Sequence, residues 1–117
     1  MLNKIDEVVK KLKNLNILAV ILYGSYKKDY FRNDSDIDIC VVAPKVDKEK
    51  LFQEILNLMQ DEKIDIKIFE LMPLYLKMKV IKEGKILWAE DKKKLNYYFW
   101  QFIKLWEDEE IAIKKLK

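Results

Sequence analysis

The run from Asp36 to Ala43 constrains this chain more than any other, because it alternates with a period of two. Ile37, Ile39 and Val41 point to one side, and Asp36, Asp38, Cys40 and Val42 to the other. This is a β-strand, and Pro44 ends it. One of its faces is apolar throughout, while the other begins with two acids where Val or Ile would ordinarily sit. Two residues apart on one strand face, those side chains lie about 6.5–7 Å from each other. Like charges held so close are costly unless a cation neutralises them, so the pair points to one or two hard cations such as Mg²⁺.

The flanking sequence supplies partners for that strand. Ile17 to Tyr23 is a short, partly β-branched apolar run stopped by Gly24, which predicts a buried central strand delivering Gly24-Ser25. Ile64, Ile66 and Ile68 alternate with Asp65, Lys67 and Phe69 and predict a third strand, and Lys85 to Ala89 a short fourth one. Helices are expected between them. Leu2, Ile5, Val8, Val9 and Leu12 share one helical face that Asn14 and Asn16 close, and Phe52, Ile55, Leu56 and Met59 repeat in the same way behind the capping residue Asp47. Pro73 opens another helix through about Val80, Glu83-Gly84 is a turn, and Asp91 caps a long final helix. Residues 26–33 lack a clean period and suit a short helix or turn. The expectation is an α+β fold: a small mixed β-sheet with helices packed on it, in one domain spanning residues 1–117.

Composition narrows the chemistry. Half of the 117 residues are apolar and 37% are charged, which excludes a disordered chain. Cys40 is the only cysteine and there is no His, so neither a disulfide framework nor a Cys/His zinc site can be built. Met1 to Leu15 is amphipathic rather than continuously apolar, and no run is long enough for a membrane span, so a soluble, cytoplasmic protein is expected. The net charge of +3 comes from 23 basic and 20 acidic residues mixed along the chain. This balance does not announce a nucleic-acid surface, and nucleic acid is not an expected partner.

A third carboxylate from an adjoining strand would let two metals clamp the attacking and leaving oxygens of a phosphoryl displacement. Asp65 is the candidate by its strand position, with Asp61, Glu62 and Glu70 competing for the role. Asp34 precedes the strand and suits a turn. Gly24 would let the backbone approach a phosphate closely, and Ser25 can donate both its hydroxyl and its N–H. A Walker-type phosphate loop is excluded, because the only other glycine is Gly84.

Leu22-Tyr23-Gly24-Ser25, ten residues, then Asp36-Ile37-Asp38 resembles the Gly-Ser-x10-Asp-x-Asp signature of the DNA polymerase β-like nucleotidyltransferases. The form it resembles most is the minimal nucleotidyltransferase typified by the MntA antitoxins. The resemblance implies a nucleotidyltransferase fold and a Mg²⁺-dependent enzyme with two metal ions held by Asp36, Asp38 and Asp65. It also implies ATP as the nucleotide donor, its phosphates held by Gly24 and Ser25 with Lys28 nearby. The family usually carries Gly four residues after the Ser, where this chain has Asp29, and has Arg where Lys27 and Lys28 stand.

In such antitoxins the acceptor is a tyrosine of a partner HEPN toxin, so the resemblance implies a protein adenylyltransferase that silences its toxin by AMPylation. Six of the chain's 14 aromatic residues fall within residues 97–106, on a helix apolar nearly all round. That helix reads either as a docking face for a second chain, the same or different, or as a core helix with an aromatic stripe. The competing functional reading is a non-catalytic binding module of the same fold that masks its partner.

Overall fold

The computed structural model describes residues 2–24, 37–61 and 63–116. In chain order the elements are α1 (Leu2–Leu12), β1 (Ala19–Tyr23), β2 (Ile37–Val42), α2 (Lys48–Leu58) and β3 (Ile64–Ile68). A 3₁₀ turn (Phe69–Leu71), α3 (Leu74–Glu83), β4 (Lys85–Ala89) and α4 (Lys92–Leu116) complete them. The expected mixed sheet with a long C-terminal helix is present. Ser25, Lys27, Lys28, Asp29, Asp36 and Glu62, and the short helix or turn expected over 26–33, lie outside the described residues.

Local chemistry sets the helix ends. The Asp47 carboxylate accepts the backbone N–H groups of Glu49 at 3.0 Å and Lys50 at 3.4 Å to start α2, and Asp91 does the same with Lys93 and Lys94 for α4. Pro73 precedes α3, whose first turn has no need of the missing N–H. This helix runs three residues beyond the expected Val80, because Gly84 closes it: its N–H donates to the Val80 carbonyl at 2.8 Å. A Cβ at Gly84 would lie 2.4 Å from that carbonyl oxygen and 2.6 Å from Ile21, so the turn and the sheet can meet only at a glycine.

The four strands take the order β3-β2-β1-β4. β1 pairs antiparallel with β2 and with β4, and β2 pairs parallel with β3, the crossover being made by α2. Alternation then divides the core into two layers. Val20, Leu22, Ile37, Ile39, Val41, Ile64 and Ile68 face α1 and α2, where they pack with Val8, Leu12, Leu51 and Ile55. Ile21, Tyr23, Cys40 and Val42 face the other way, against Phe69, Met72, Val80, Leu95 and Phe99 from the 3₁₀ turn, α3 and α4. The sheet is therefore covered on both faces, which is why β1 and the apolar half of β2 are continuous hydrophobic runs.

One polar connection crosses the second layer. Glu70 accepts the Ala43 N–H with both carboxylate oxygens at 3.1 Å and the Tyr98 hydroxyl at 2.9 Å, tying the end of β2 to α4. Burial, then the Glu70 charge and its hydrogen bond, push the Tyr98 hydroxyl above the usual tyrosine range, and burial followed by the Glu70 charge does the same to the Cys40 thiol. Both groups stay protonated in the fold at a pH where the unfolded chain would release the proton. Their contribution is therefore intact below the ordinary values of about 8.5 for Cys and 10 for Tyr and is lost as pH rises past them. The urea midpoint should hold from pH 7 to 8 and then fall steadily towards pH 11, and Tyr98→Phe combined with Cys40→Ser should lessen that decline, the part due to buried Tyr23 remaining.

Candidate active site

The two acids within the described residues come together at one end of the sheet. Asp38 is the register partner of Asp65 across the parallel β2–β3 pair and of Tyr23 across the antiparallel β1–β2 pair. Neighbouring strands lie about 4.8 Å apart, so the two carboxylates leave the same sheet face side by side. That face is the one covered further along by α3 and α4. Asp38 is half-buried near the beginning of β2, and Asp65, near the beginning of β3, is exposed.

Gly24 follows β1 at the same end with φ +83°, a conformation that L side chains rarely adopt. A Cβ there would stand 2.3 Å from Oδ2 of Asp38, so the glycine leaves the space this carboxylate occupies. Gly24→Ala should thus both strain the backbone and displace Asp38. We expect a stability loss of about 1–2 kcal/mol in urea titration, accompanied by a loss of transfer activity larger than that destabilisation explains.

Two of the competing acids, Glu70 and Asp61, have partners elsewhere, and Glu62 lies outside the described residues. Glu70 lies at the opposite end of β3, occupied by Ala43 and Tyr98. Asp61 pairs with Lys4 at 2.6 Å and accepts the Lys63 N–H, and the Lys4 hydrogen bond is the main reason its carboxyl is held below the usual range. Register, rather than composition, places Asp65 beside Asp38. The sequence reading passed over Lys67, which stands two residues along the same face and reaches Asp65 at 3.2 Å. Both side chains are about half exposed, so the pair adds little to stability, yet it sets a positive charge against Asp65. The period-two pattern of β3 already put the two on one face.

Among the described residues no three carboxylate, Cys or His side chains gather to hold a metal, Asp36 being outside them. The residues that are described fit a hard cation: two hard oxygen donors side by side, a glycine cradle against one of them, and a buried tyrosine hydroxyl without a hydrogen-bond partner on the same face. Two surface depressions lie away from this end. One, of about 890 Å³, runs between α1 and the end of α2, and the other, of about 410 Å³, lies at the opposite edge beside Leu18, Ala43 and Tyr98. Neither includes Asp38 or Asp65.

A strand running into Gly24, antiparallel to the strand of Asp38, whose parallel neighbour brings Asp65, is the arrangement expected of a nucleotidyltransferase. A model of the family described as Polymerase beta, Nucleotidyltransferase matches residues 3–93, and the chain belongs to that family. A Methanocaldococcus jannaschii protein, described provisionally as a protein adenylyltransferase, is 42% identical over 99 residues, which cover 85% of this chain and 77% of that protein. The fold is also that of a toxin–antitoxin crystal structure with AMP-PNP, at TM-score 0.70 and 22% identity over 97% of this chain and 93% of the other. Tri-AMPylated Shewanella oneidensis HEPN toxin in complex with MNT antitoxin contains a chain matching at TM-score 0.64 and 23% identity, over 97% and 90% of the two chains.

Proposed function

We propose that this nucleotidyltransferase transfers the adenylyl group of ATP to a tyrosine hydroxyl of a HEPN-type toxin and acts as its antitoxin. The observation that carries the reading is the register of Asp38 against Asp65 at the strand ends where β1 delivers Gly24. The likeness to the M. jannaschii protein supports protein as the acceptor class, and the fold's occurrence in toxin–antitoxin complexes supports the partner.

Asp36, Asp38 and Asp65 would hold Mg²⁺, which when bound neutralises phosphate charge and steadies the developing charge on the departing pyrophosphate. Gly24 and Ser25 would hold the phosphates by close backbone approach and N–H and hydroxyl donation, with Lys28 adding positive charge. Asp65, exposed at the outer strand, is the acid that an incoming acceptor reaches, and it would take the proton from the tyrosine hydroxyl. The new bond joins that oxygen to the α-phosphorus, and the bond to pyrophosphate breaks.

The long helix provides a surface for the acceptor protein. Leu95 and Phe99 are buried in the second core layer, while Tyr97 and Trp100 lie outside it, stacked on each other with ring centroids 6.2 Å apart. The helix thus carries a core stripe and, outside it, an exposed aromatic pair. Among the described residues no helix is long and apolar enough to cross a membrane.

Incubation of the protein with α-labelled ATP and Mg²⁺, with and without a HEPN-type toxin, tests the reading. Label on the toxin that disappears in the Asp36→Asn, Asp38→Asn protein is the expected outcome. Toxin neutralised equally well by that variant, with no label transferred, would establish masking in place of catalysis.

A further inference from the structure

Tyr23 is the last residue of β1, immediately before Gly24, and only 4% of it is exposed. Its ring lies in the core layer shared with Cys40, Phe69 and Phe99, where phenylalanine would serve the packing equally well. The hydroxyl is nonetheless buried, and it has no hydrogen-bond partner among the described residues. Taking a hydroxyl out of water without a partner costs free energy, so a group in this state either marks a flaw in the fold or awaits a partner that binds later.

Its position favours the second explanation. Tyr23 is directly opposite Asp38, and Asp38 is directly opposite Asp65, so the three side chains form one row across β1, β2 and β3 on a single sheet face. After burial itself, the leading charge that acts on the hydroxyl is that of Asp38, and that of Asp65 adds to it, both on that face. The phenol therefore lies within the field of the acidic site rather than turned away from it. Ligand carboxylates need donors behind them to fix their orientation, and such donors are worth about 10–100-fold in metal affinity.

We propose that Tyr23 is a positioning residue of the acidic site, its hydroxyl donating to the Asp38 carboxylate when that carboxylate holds a divalent cation. This rests on the reading of Asp38 as a cation ligand. It makes the partnerless hydroxyl a cost carried by the metal-free protein and recovered on loading. The two states should then respond to loss of the hydroxyl with opposite signs.

The experiment compares the full-length protein with Tyr23→Phe and, separately, Asp38→Asn. Mn²⁺ serves as the probe, titrated without nucleotide, and melting is recorded in chelator. Tyr23→Phe should bind Mn²⁺ about tenfold more weakly and should melt in chelator at or above the wild-type temperature, by up to about 5 °C. Unchanged Mn²⁺ affinity would overturn the proposal. So would a lower melting temperature in chelator, which would show that the hydroxyl serves the fold itself. Asp38→Asn separates this failure from that of the underlying reading: if it binds Mn²⁺ like the wild type, the acidic site is not the cation site. If it loses binding while Tyr23→Phe does not, only the role of Tyr23 falls.

Discussion

Asp38→Asn should lower adenylyl transfer on the order of a thousandfold while leaving the chain folded. The substitution keeps the shape of the side chain and removes one of the charges on which the site depends. Deleting a single element of a preorganised electrostatic site commonly costs 10²–10³ in rate, and the cation-ligand role proposed for Asp38 puts the loss at the upper end. Asn is isosteric with Asp and removes the like-charge repulsion from the acid beside it in register, so the chain should stay folded. Its thermal behaviour should nevertheless change in one respect. Anything that binds only the native state raises the melting temperature, so the shift that Mg²⁺ with ATP gives the wild type should be absent from the variant. Single-turnover transfer and a melt with and without Mg²⁺ and ATP measure the two effects, and a variant retaining both would remove Asp38 from the site.

Phe69→Ala should produce the largest loss of stability of any single truncation. Phe69 is fully buried, and its ring meets Phe99 and Phe102 at centroid distances of 5.2 Å and Tyr98 at 5.9 Å. Lys77 from α3 lies 5.7 Å from the ring centroid. One residue thus joins the end of β3 to both helices of the second layer. Truncating a buried phenylalanine costs about 3–5 kcal/mol through lost transfer energy and the cavity left behind. Domains of this kind typically hold about 5–15 kcal/mol in total, so the variant should melt more than 10 °C lower, at about 4–8 °C per kcal/mol. The acidic end of the sheet lies at the opposite end of β3, so activity per folded molecule should survive at low temperature. A loss confined to activity would contradict this assignment.

These two residues show how differently site and core are written in the chain. Asp38 is legible because an acid in an alternating strand breaks the expectation set by its neighbours, and the ten-residue spacing from Gly24-Ser25 strengthens it. Phe69 reads as the last member of an alternating run, and nothing in that run says that two later helices converge on it. Glu70 is similar. By sequence it competed with Asp65 for the third acid, and only the 3₁₀ turn, which swings it to the Ala43 N–H and the Tyr98 hydroxyl, removes it from the contest.

The sequence by itself determined the elements and their faces, because alternation and helical spacing are local properties of the chain, set by backbone geometry within a few residues. It also determined the Asp36-Ile37-Asp38 motif and the glycine that follows β1. Tertiary structure alone decided the strand order, the antiparallel and parallel pairings, and the row of Tyr23, Asp38 and Asp65. Register between strands depends on which faces bury against which helices, and one step of slippage would turn every side chain of a strand to the opposite face. The partnerless hydroxyl of Tyr23 became visible only there, since a tyrosine in an apolar run carries no sign of whether its oxygen will find a partner.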